Sequence, residues 1–137
     1  MDLATQVRVT DVKPPNWATL VSAFGVEWGG VVVTYGPLIH SARPIPSDLL
    51  NHELVHAKQQ GFSIQGAEKW WREYLANSKF RLSQEVEAYQ KQVRFVKRFV
   101  SDRNDKARRV HRLAVDLSGP TYGNVVSYSE AYQLING

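Results

Sequence analysis

SDLLNHELVHAKQQG, residues 47–61, carries two histidines, His52 and His56, four positions apart, with Glu53 directly after the first. The flanks predict a helix, with Ser47 as its N-cap and Gly61 as its C-terminal stop. Positions four apart on a helix share a face, so both imidazoles can reach one ion. Neutral imidazole nitrogen suits zinc at about 2.0–2.1 Å. Glu53 is rotated by about 100° from His52. It therefore misses the ion yet reaches a water beside it, the position of a general base. Leu50, Leu54 and Ala57 are expected to pack this helix into the core, leaving the histidine side polar at the bottom of a cleft. The pattern points to a zinc hydrolase.

A catalytic zinc site takes three protein ligands, so one more must come from elsewhere in the chain. The segment RLSQEVEAYQKQVRFVKRFV, residues 81–100, offers Glu85 and Glu87. Two positions apart on a helix, they diverge by about 200°, and only one can face inward. Leu82, Val86, Tyr89, Val93, Val96 and Val100 form one apolar stripe at helical spacing. Glu85 falls beside that stripe, flanked by apolar residues, whereas Glu87 falls among Lys91, Arg94 and Arg98. A carboxylate set into an apolar flank needs a partner, because burying it unpaired is costly. Glu85 is the expected third ligand. Two histidines and one carboxylate also suit iron or manganese.

The surrounding chain reads as one domain, 1–137, of α+β class and mostly helical. WATLVSAFG predicts a short helix capped by Asn16. GGVVVTYG, rich in β-branched residues and bounded by glycines, predicts a strand just before the His-Glu-x-x-His helix. PLIHSARPIP reads as loop or further extended chain, since its prolines bar a helix. From Gly66 onward AEKWWREYLAN, residues 81–100 and DKARRVHRLAVDL all read as helices. A turn, SGPTYGN, separates them from a last short helix, SYSEAYQLI.

Bulk composition narrows the setting. There are no cysteines among the 137 residues, which excludes disulfides and thiolate metal sites. No apolar run is long enough to span a membrane, and MDLATQVRVTD shows no basic and apolar leader. A cytoplasmic location is expected, or a virion-associated one. The net charge of +4 is modest. Nine of the seventeen Lys and Arg fall in residues 91–112, near Phe95 and Phe99, but no nucleic-acid fingerprint accompanies them. Nucleic acid is not the expected partner; an acidic protein, cell-wall polymer or virion surface fits equally well. Trp70 and Trp71 diverge by about 100° and cannot form one flat sugar platform. His40 reads as an exposed loop histidine before it reads as a supplementary ligand.

HELVH, followed about thirty residues later by Glu85-Val86-Glu87-Ala88-Tyr89, resembles the zincins, and among them the gluzincins, whose E-x-x-A-D segment places its first Glu on zinc. The wider pattern is similar to small zincin-like proteins of phages and bacteria. The resemblance implies a metallopeptidase hydrolysing peptide bonds, with His52, His56 and Glu85 on zinc and Glu53 activating a zinc-bound water. Tyr89 stands where the family often has an acidic residue that orients a zinc-bound histidine, so orientation must come from another group. Tyr89, His111 and Tyr122 are candidates to stabilise the oxyanion; Tyr122, on a glycine-proline loop, is the best placed by analogy. The family also implies that the GGVVVTYG strand lies beside the cleft and pairs with an extended peptide. The rival reading is a zinc-stabilised structural or assembly protein, such as a phage particle component, without turnover.

Overall fold

The computed structural model describes residues 7–136, an α+β fold in which helices predominate. Strand β1 covers Arg8–Thr10, and helix α1 covers Trp17–Phe24. Strands β2 (Val32–Tyr35) and β3 (Leu38–Ser41) follow as a tight hairpin. Five helices complete the described chain: α2 (Ser47–Gln59), α3 (Ile64–Ala76), α4 (Ser78–Phe99), α5 (Arg103–Ser118) and α6 (Tyr128–Asn136). The SGPTYGN turn between α5 and α6 holds one 3-10 turn, Pro120–Tyr122.

The sheet has the order β1-β3-β2, with β1 parallel and β2 antiparallel to β3. Among the described residues β2 is therefore an edge strand. PLIHSARPIP, left open between loop and extended chain, supplies the central strand β3, placing Ile39 and His40 in the interior. His40 is thus a buried strand residue and not an exposed loop histidine. Its Nδ1 lies 2.7 Å from the Val12 carbonyl.

Two caps differ from expectation. Ser47 is the first helical residue of α2, and Pro46 occupies the cap position with an extended ψ of 149°. Proline cannot supply a side-chain acceptor, so Asp48 in the first turn provides the charge that the helix N-terminus favours. Asn16 stands before α1, but its side chain makes no capping bond, and its buried amide finds no protein partner. Gly61 does end α2, in the left-handed region at φ +67°. α3 starts at Ile64, two residues before Gly66, because the Ser63 hydroxyl accepts from Gly66 N at 3.0 Å.

Helix α4 is the spine. Tyr89, Val93 and Val96 on its apolar stripe pack with Val110, Leu113, Ala114 and Leu117 of α5 and with Ala131 and Ile135 of α6. Another side of α4 faces α2, the most extensive helix pairing in the fold. The apolar core thus lies on the α5–α6 side, and the polar constellation lies on the α2 side. Between them, α4 fixes both.

Candidate metal centre

α2 turns His52, Glu53 and His56 toward α4, and all three side chains are buried. Leu50 and Leu54, expected to be the core-facing side, are only half-buried, while Ala57 is fully buried. The histidine side is therefore the interior side of α2, and it still lines a cavity. Burying so many polar groups is tolerable only if each finds a partner, and the interior polar network supplies those partners.

Glu85 comes from the inner face of α4 and is 4 % exposed, whereas Glu87 is exposed and accepts from Gln59 Nε2 at 3.2 Å. Glu85 Oε1 lies 3.1 Å from His52 Nε2 and 3.2 Å from His56 Nε2. The two Nε2 atoms are 3.2 Å apart. Three donor atoms thus form a near-equilateral triangle. Tetrahedral coordination with metal–ligand bonds of about 2.0–2.1 Å sets neighbouring donors about 3.3 Å apart. The structure brings His52, His56 and Glu85 together at that spacing.

Hydrogen bonding sets the tautomer of each histidine. His52 Nδ1 faces Gln92 Oε1 at 3.0 Å, and Gln92 Nε2 donates onward to Asp48 Oδ2 at 2.8 Å. His56 Nδ1 faces Gln59 Oε1 at 2.8 Å, and Gln59 Nε2 donates to the Gln84 carbonyl at 3.1 Å. The onward bonds fix which end of each amide is oxygen. Each Nδ1 must then carry a proton and donate it, leaving lone pairs on both Nε2 atoms. Two lone pairs and a carboxylate oxygen within about 3 Å repel one another unless a cation sits among them.

No lysine or arginine is buried among the described residues, so Glu53 and Glu85 are two interior carboxylates without such a partner. A divalent ion would offset both charges. Without a metal the cation is a proton. Burial would lower the His56 pKa, but the Glu85 carboxylate against it lifts it to about 9. Burial pushes Glu85 up, yet the His56 and His52 imidazoles together hold it well below the usual carboxylate range. The donor set could hold a divalent metal ion.

Glu53 stands one step back. Its Oε2 is 3.8 Å from His52 Nε2, against 3.1 Å for Glu85, so Glu85 lies closer to the histidine nitrogens, although His52, Glu53 and His56 also come close enough together to hold an ion. The Thr34 hydroxyl on β2 donates to Glu53 Oε1 at 3.0 Å and leaves Oε2 facing the histidines. Burial raises the Glu53 pKa, against the attraction of His52 and His56. Tyr74 of α3 donates to the second Glu85 oxygen at 2.5 Å. The Tyr89 ring stands edge-on against His52 at 4.5 Å. Tyr89 and Tyr122 share a hydroxyl hydrogen bond of 3.0 Å.

A cavity of about 90 Å³ opens onto this floor. Val31 to Val33 and Thr34 form one wall, Leu20 and Phe24 of α1 another, and Trp70, Trp71 and Tyr74 of α3 a third. Tyr122 and Thr121 also line the cavity. Burial, and then the Glu85 charge, push the Tyr122 hydroxyl pKa well up, so it stays protonated. His111, the other oxyanion candidate, is remote: it is exposed on α5 and bonded to Tyr128 at 2.7 Å. The rings of Trp70 and Trp71 stand at 87° to each other, so they share no flat surface.

Gln92, Gln59, Asp48, Thr34 and Tyr74 were not singled out from the sequence. Three of them carried a readable signal. Gln92 is seven residues after Glu85, Gln59 three after His56, and Asp48 four before His52, all spacings that share a helix face.

Comparison with protein-family models, with curated proteins and with solved structures returns no match to this chain. The resemblance of HELVH and the Glu85 helix to the gluzincins therefore stands on those residues alone.

Proposed function

We propose that this chain is a zinc-dependent hydrolase of peptide bonds, with His52, His56 and Glu85 as metal ligands. One observation carries the reading: three buried donor atoms at zinc spacing, with both histidine tautomers set by amide carbonyls. When bound, the ion supplies Lewis acidity, polarising a carbonyl and acidifying water. Glu53 is the general base. Its raised pKa moves it toward neutrality, where a base is most effective, and Thr34 leaves Oε2 free to take the proton and return it to the leaving amine. Tyr122, held protonated in the cavity wall, donates a hydrogen bond to the developing oxyanion.

The edge of β2 is the place for an extended peptide, but the Thr34 carbonyl already accepts from Gln60 Nε2 at 3.1 Å and Trp71 Nε1 at 2.9 Å. Strand pairing with substrate has to begin at Val32 or displace those donors. No helix among the described residues is long and apolar enough to cross a membrane.

The test is turnover of a mixed fluorogenic peptide library by zinc-loaded protein. Glu53→Gln should cut the rate by about 10²–10⁴ while zinc stays bound. Equal rates in both proteins contradict the assignment. A second reading, a zinc-stabilised structural or assembly component, is favoured by the cavity: about 90 Å³ is below the roughly 300–1,000 Å³ of ligand pockets. Under that reading zinc raises the unfolding temperature, the library is not cleaved, and Glu53→Gln has no effect on assembly.

A further inference from the structure

On the side of α2 turned away from the histidines, α2 and α4 enclose a second concavity. It consists of two adjoining hollows of about 430 and 460 Å³ that share Asn51, Lys91 and Arg94, and so form one continuous groove. Leu54, Val55 and Phe95 give it an apolar lining, and Phe99, 61 % exposed, extends that lining at one end. Lys58, Lys91, Arg94 and Arg98 stand around it, all exposed. Among the described residues the lysine and arginine ion pairs are those of Arg108 and Arg109 with Asp105, so none of these four is neutralised. The single carboxylate in the groove, Glu87, is engaged by Gln59.

We infer that this groove binds an acidic peptide segment of another protein, one that alternates carboxylate and apolar side chains. Unpaired cations around an apolar floor complement both halves of such a segment. Lys91, Arg94 and Arg98 span about 10 Å along the axis of α4, the reach of roughly three or four extended residues. A carboxylate at alternate positions then meets successive cations, while the residues between them turn into the groove. The aromatic pair argues against single-stranded nucleic acid. Phe95 and Phe99 are tilted against each other at 4.6 Å, and the Arg98 guanidinium lies 5.2 Å from the Phe99 ring centre. Arg98 and the tilted Phe95 ring thus compete with a base for the faces of Phe99. None of the three metal-ligand candidates lines the groove.

The experiment is fluorescence anisotropy of the full chain with a fluorescein-labelled octapeptide of alternating glutamate and leucine. A single-stranded octanucleotide carrying the same label is titrated in parallel. Saturable peptide binding that weakens with salt is expected. The charge reversal Lys91→Glu/Arg94→Glu should lower affinity at least about tenfold, the loss of complementary charge at close contact. Phe99→Ser should lower it less, and Arg108→Glu/Arg109→Glu on α5 should leave it unchanged. Absence of saturable binding at millimolar protein, equal affinity in the Lys91→Glu/Arg94→Glu protein, or tighter binding of the oligonucleotide overturns the inference.

Discussion

Replacing Gln92 with leucine isolates the question of what holds the metal ligands in place. The side chain is 4 % exposed and spans two partners, accepting from His52 Nδ1 at 3.0 Å and donating to Asp48 at 2.8 Å. Leucine is close in shape and only somewhat larger, so the packing change is modest. The His52 Nδ1 proton then faces a methyl group where water does not reach. A buried donor left unmade costs about 1–3 kcal/mol, and loss of a group that orients a metal-bound histidine typically costs about 10–100-fold in metal affinity. These two estimates agree, since tenfold is about 1.4 kcal/mol. Gln59→Leu is the internal comparison: Gln59 is half-buried, so water can replace its carbonyl, and the loss there should be smaller. Zinc competition against a chromophoric chelator measures both. If Gln92→Leu binds zinc within about twofold of the parent, well inside the predicted loss, the tautomer argument is wrong.

Three further outcomes follow from the same geometry. In EDTA-treated protein, the raised His56 pKa stabilises the fold fully below pH 6.5 and loses that effect as the pH rises through about 9. The depressed Glu85 pKa contributes above 4.5 and is lost as the pH falls below it, while the raised Glu53 pKa adds a cost as the pH rises above 4.5. The unfolding temperature should therefore be highest between pH 4.5 and 6.5, whereas the gain on adding zinc should grow toward pH 9 as the ion displaces the proton; calorimetry across that range checks both trends. A β-carbon at Gly66 would lie 1.9 Å from the Gln60 carbonyl oxygen, backbone that cannot give way easily. Gly66→Ala should cost at least about 1–3 kcal/mol, read by urea unfolding, and a neutral result would mean that the α2–α3 junction is looser than described. Leu117→Ala, in a fully buried site on α5, should cost about 2–5 kcal/mol yet leave zinc stoichiometry unchanged, because Leu117 packs in the apolar cluster of α4, α5 and α6, which contains none of the three donors.

Helical periodicity made much of this site readable in advance. On α4 the wheel separates Glu85 from Glu87 because the apolar stripe through Tyr89, Val93 and Val96 is regular, and burial follows that stripe. It failed on α2. There Leu50 and Leu54 suggested an apolar interior face, but hydrogen bonding lets the polar face of His52, Glu53 and His56 be the buried one. Hydrophobicity alone ranks a network of mutually satisfied polar groups as surface. β1 was equally hidden: three residues with two exposed side chains form a strand only because β3 offers a parallel edge. The same tertiary pairing buries His40, which its proline-flanked context placed in a loop. Thr34 could be read as a strand residue, but not as the partner of Glu53, nineteen positions later, since that contact depends on how α2 packs against β2.

Metal content per chain, measured on protein purified without added metal or a histidine tag, addresses the central claim. The account predicts one tightly held zinc in the parent and in Glu87→Ala, and its loss in Glu85→Ala. No zinc in the parent and none taken up on titration, or full retention in Glu85→Ala, would contradict it.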